Sequence, residues 1–72
     1  MHRFLVVVEN AGDNYSASAP DLPGCFATGD SLDETRRNMQ RAIEVHLRGL
    51  EKEKRPIPNS SSFAVIVEVA SS

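Results

Sequence analysis

A serine beside an aspartate, with a histidine further along, is raw material for a nucleophile and its base, and Asp30, Ser31 and His46 offer one such set. Acyl transfer would need the imidazole within hydrogen-bond reach of the hydroxyl. Ser31 has a competing use. Ser31-Leu32-Asp33-Glu34 fits a capping box, in which the hydroxyl takes the amide of the third helical residue while Glu34 reaches back. His46 then falls on the apolar stripe of the helix so begun, where a histidine is a core residue with one ring nitrogen satisfied. Structure accounts for both side chains, and the expectation is no catalytic residue and no enzymatic activity.

Other groups give the same answer. Glu9 and Glu68 could lie on neighbouring strands and hold a divalent cation, but strand-end glutamates also protect sheet edges. Asp13, Asp21, Asp30 and Asp33 sit where turns and caps favour aspartate. His2 and His46 are far apart and no Cys/His cluster has zinc spacing, so no metal and no cofactor is expected. Arg36, Arg37, Arg41 and Arg48 form a stripe interrupted by Glu34 and Glu44, which reads as a solvated helix face. Eight basic and ten acidic residues give a net charge of -2, which argues against phosphate-backbone adhesion and direct nucleic acid binding. Phe4, Tyr15, Phe26 and Phe63 could stack bases from a sheet, but no recognition-module signature accompanies them. The phenylalanines are assigned to the core and Tyr15 to the surface. Cys25 is the one cysteine, so no internal disulfide can form, and it reads as a small buried hydrophobe in a reducing compartment.

The elements that must carry these residues follow from periodicity and breakers. Residues 4–8 read Phe-Leu-Val-Val-Val, a strand apolar on both faces. Residues 10–14, Asn-Ala-Gly-Asp-Asn, make a hairpin turn, and Tyr15, Ala17 and Ala19 alternate with Ser16 and Ser18 in a second strand. Pro20 and Pro23 lack donors and Gly24 frees the backbone, giving a rigid loop. Residues 25–28 form a short third strand. From Ser31 a helix runs with Leu32, Thr35, Met39, Ala42, Ile43, His46, Leu47 and Leu50 on one face. It ends between Gly49 and Lys54, before Pro56 and Pro58. Phe63, Val65, Val67 and Val69 then alternate with Ala64, Ile66, Glu68 and Ala70 as a fourth strand. The expectation is an α+β fold of order βββαβ, a mostly antiparallel sheet with one helix on one face, as a single domain over residues 1–72.

One helix covers one face of such a sheet, and a chain of this length has a small core. The first strand's second face, with Ala64 and Ile66 on the last strand, should therefore need another polypeptide. Leu5, Val7, Tyr15, Ala64 and Ile66 are the candidate interface residues, and a homodimer or higher homo-oligomer is expected. The N-terminus lacks the length and cleavage site of a signal peptide, and no window approaches a membrane span, so a cytoplasmic protein is expected, with no membrane partner.

The run from Tyr15 to Ser31, with Asp21-Leu22-Pro23-Gly24-Cys25 at its centre, resembles the signature of HicB-family antitoxins. Ala42-Ile43-Glu44-Val45-His46-Leu47 and Pro56-Ile57-Pro58 extend the similarity over nearly the whole chain. The resemblance implies a partial ribonuclease-H-like core that binds a small ribonuclease toxin of the HicA type and occludes its RNA access. Many family members carry a C-terminal DNA-binding domain, which has no counterpart in these residues, so autonomous operator binding is not expected. Ribonuclease H has an acidic residue within its first strand, where this chain has only apolar ones, so metal-dependent hydrolysis is not implied. The alternative reading is an orphan homo-oligomeric scaffold for a different partner.

Overall fold

The structure, a computed structural model, describes residues 2–71. The ends of the expected domain, residues 1 and 72, lie outside them. Three strands, β1 (Val7–Asn10), β2 (Tyr15–Ser18) and β3 (Phe26–Gly29), precede one helix, α1 (Leu32–Lys52). The sheet is antiparallel, in the order β1-β2-β3. Its register aligns Val8 with Ala17 and Ala17 with Ala27. The α+β class, with one helix on an antiparallel sheet, is as the sequence predicts.

Local chemistry explains each junction. At the first turn the Ala11 amide donates to the Asn14 carbonyl at 2.8 Å, and the Asn10 side chain accepts the Gly12 amide at 2.9 Å. Between β2 and β3, the Leu22 amide donates to Ala19 O and the Cys25 amide to Leu22 O, two tight turns that Gly24 completes at φ 80°. Helix α1 starts at its cap: the Ser31 hydroxyl accepts the Glu34 amide at 3.1 Å. The Glu34 carboxylate reaches back to the Asp30 amide at 3.4 Å, one residue before the cap itself. At the other end the Arg55 amide donates to Leu50 O and the Lys54 amide to Glu51 O, with Lys54 at φ 57°. That pattern is a Schellman motif built on a lysine where glycine is usual.

The core lies between the sheet and α1. Ala17, Ala19, Leu22, Cys25 and Met39 are buried, and Phe4, Val6, Val8, Ala27, Ala42, Ile43 and Leu47 pack against them. Helix α1 comes so close to β3 that an ideal Cβ on Gly29 would sit 2.5 Å from Thr35 Oγ1 and 2.7 Å from its amide nitrogen. Only glycine permits that approach. Thr35 is fully buried, and its hydroxyl donates to Ser31 O at 2.7 Å.

Two expectations are corrected. Phe26 does not join the core; it is 71% exposed, on the sheet face away from α1, because its partner across the ladder is the outward Ser18. The fourth strand does not close the sheet within the chain. Residues 63–69 join no ladder, and Phe63, Val65, Ile66, Val67 and Val69 are all exposed. The cause is the connector. After Pro56 and Pro58, Asp21 holds Ser61 and Ser62, and the following residues leave the domain from that point. The chain therefore has a radius of gyration of 14.4 Å and a long axis of 53 Å. A fully folded chain of this length would have a radius near 11 Å.

Candidate interaction site

Helix α1 packs mainly over β3 and β2 and leaves the near face of β1 and the residues before it only half-covered. An apolar groove of about 730 Å³ results. Phe4, Val6 and Val8 form its sheet side, alternating along the chain, and Met39, Ile43 and Leu47 form its helix side. Leu32 stands at one end, 58% exposed, and Arg36, Gln40 and Glu44 make a polar rim. β1 is also an edge of the sheet, so its outward backbone groups have no neighbouring strand.

The opposite face of the sheet also carries exposed apolar side chains. Val7 and Phe26 flank Ser18 across the register, with half-buried Leu5 preceding Val7. The candidate interface residues are thus separated. Leu5 and Val7 share the outer face; Tyr15 is half-buried and pairs with Asn10 and Gly29 in the helix-facing row. Ala64 and Ile66 lie on the exposed C-terminal segment.

The central loop residues have mainly structural placements. Leu22 is fully buried and Cys25 nearly so, while Pro23 and Gly24 are exposed turn residues. Burial pushes the Cys25 thiol up from its ordinary pKa, which keeps it protonated and a poor nucleophile. Asp21 accepts hydrogen bonds from the backbone and hydroxyl of both Ser61 and Ser62. The Ser62 amide, working against partial desolvation and helped by the Ser62 hydroxyl and Ser61, holds that carboxyl below its ordinary pKa.

The groups that could do chemistry are not assembled. Ser31 caps the start of α1 and His46 lies about 15 residues along it, roughly 22 Å away at the helical rise. Glu9 is on β1, whereas Glu68 is on the departing segment. Among the described residues no group of three or more His, Cys, Asp or Glu side chains could hold a metal ion. Arg36 and Arg37 both pair with Asp33 on the solvent side of α1. No helix among the described residues is long and apolar enough to cross a membrane.

What the fold and its surfaces define is a small α+β module whose prominent exposed features are apolar strips. The profile of a family described as "HicB_like antitoxin of bacterial toxin-antitoxin system" matches residues 4–71, and the chain belongs to that family. It is 38% identical over 58 residues to an uncharacterized 14.9 kDa protein of Haemophilus phage HP1, covering 81% of this chain and 44% of that protein. The chain therefore spans less than half of that relative. A UPF0150 protein of Helicobacter pylori is 34% identical over 65 residues, covering 89% of this chain and 90% of its own length. A UPF0150 protein of Synechocystis is 34% identical over 59 residues, with 81% and 75% covered. Among solved structures, a chain of a "HicA3 and HicB3 toxin-antitoxin complex" superposes with a TM-score of 0.67 at 22% identity, over 82% of this chain and 72% of that one. That likeness shows the fold.

Proposed function

We propose that this protein is a non-catalytic antitoxin that binds a HicA-type ribonuclease toxin and blocks its access to RNA. The observation that supports the reading is the pairing of family membership with an outer sheet face on which Val7 and Phe26 are exposed beside half-buried Leu5. An exposed strip of this kind on a small domain is the signature of a protein-binding surface. Phe26 is its aromatic anchor. Occlusion needs no nucleophile, base or metal, in keeping with the separation of Ser31 from His46 and of Glu9 from Glu68. The net charge of -2 favours encounter with a basic partner. The whole chain acts as one domain in the cytoplasm.

Coexpression with a HicA-type toxin tests the proposal. Growth should be restored, and the two proteins should copurify; Phe26→Asp should lose both effects while keeping its helical circular dichroism. A chain that neither rescues growth nor binds any such toxin would overturn it. The exposed C-terminal segment favours a second reading, a homo-oligomeric scaffold that self-associates without neutralising a toxin.

A further inference from the structure

We infer that two copies of this chain exchange their C-terminal segments, residues 63–69 of each lying as a fourth strand beside β1 in the other's groove. The inference stands apart from the toxin-binding reading and concerns a different surface.

The groove limits what can fill it. Its sheet side, Phe4, Val6 and Val8, repeats every two residues, and the adjoining edge of β1 has no neighbour. The complementary occupant is an extended segment with apolar side chains at the same spacing and a backbone free to pair. Residues 63–69 have both properties: Phe63, Val65, Val67 and Val69 alternate, each more than 70% exposed, and no strand pairs with them. Their length also suits. Seven extended residues span about 23 Å, the same reach as residues 4–10 that form the groove's sheet side and β1.

The segment does not fill the groove of its own chain. The Asp21 bonds to Ser61 and Ser62 set its departure point, and the elongation of the molecule shows that it leads outward. An apolar arm without a seat and an apolar seat without an arm therefore occur on one chain. A twofold axis satisfies both at once, since each copy gives an arm and receives one. Exchange also removes the exposed edge of β1, which is otherwise a template for uncontrolled strand addition.

The test uses two variants of the full chain. Val67→Asp places a carboxylate on the arm at a site exposed in the single chain, and Leu32→Asp places one in the groove, where the first helical turn tolerates aspartate. Light scattering at micromolar concentration should give the wild type twice the chain mass and each variant the single mass, with unchanged helical circular dichroism. Mixing the variants should restore the doubled mass, because the sound arm of one fits the sound groove of the other. Should Leu32→Asp lose its helical signal, Gln40→Asp on the groove rim replaces it. A monomeric wild type, a Val67→Asp variant that stays dimeric, or a mixture that stays monomeric would each overturn the exchange; the last would mean that each arm serves its own chain.

Discussion

Asp21 and Ser62 are 41 residues apart in sequence and meet through two hydrogen bonds, the Ser62 amide donating to Oδ2 at 3.0 Å and its hydroxyl to Oδ1 at 2.9 Å. Ser61 repeats the pattern at 3.0 and 3.1 Å. One carboxylate in the β2–β3 loop thereby decides where the C-terminal segment leaves the domain, and with it whether the groove beside β1 can be filled from within.

This clamp depends on pH in a defined direction. Donors from Ser62 and Ser61 depress the folded-state pKa of Asp21, so the contact is complete above the ordinary aspartate pKa and is lost as pH falls through the lower folded value. Amide resonances of Ser61 and Ser62 should shift together as acid releases them. In Asp21→Asn that transition should disappear. Persistence of the same titration in the variant would assign it to another group.

Gly29→Ala should destabilise the fold by about 1–3 kcal/mol, because the added methyl meets the Thr35 hydroxyl and backbone rather than a movable chain end. Urea unfolding should show a lower midpoint at unchanged slope. An unchanged midpoint would mean that α1 stands further from β3 than it does here.

Leu22→Ala should cost about 2–5 kcal/mol, the usual range for emptying a fully buried leucine site. In so small a domain that is much of the total stability, so the variant should be substantially unfolded by circular dichroism. A stable Leu22→Ala protein would show that this loop is a contact surface rather than part of the core.

Lys54→Gly should stabilise the protein by roughly 1 kcal/mol, since Lys54 holds a left-handed conformation that costs a side-chain-bearing residue about that much. Thermal unfolding should move upward. A fall would mean that the Lys54 side chain makes a contact outweighing its backbone strain.

Much of the fold was legible because its signals are local. The capping sequence at Ser31 marks the start of α1 within one residue, and the glycine-containing turn marks the β1–β2 hairpin. The alternation at Tyr15, Ala17 and Ala19 puts the two alanines in the core. Phe26 misled because size suggests burial, whereas in a strand the pleat and register choose the face, and the register turns Phe26 outward beside Ser18. Tyr15 misled in the opposite sense, since its row faces α1. The groove was not legible, because it arises from which strands α1 covers.

The sequence by itself determined the helix from its cap at Ser31, the β1–β2 hairpin and the alternating apolar pattern of residues 63–69, since each follows from residue type and short-range spacing. Tertiary structure alone decided that this last segment finds no place in its own sheet and that an apolar groove stays open beside β1. The first rests on a long-range contact, the bonds of Asp21 to Ser61 and Ser62, which join residues that no local pattern relates, and the second on how α1 lies against the sheet once Gly29 admits Thr35.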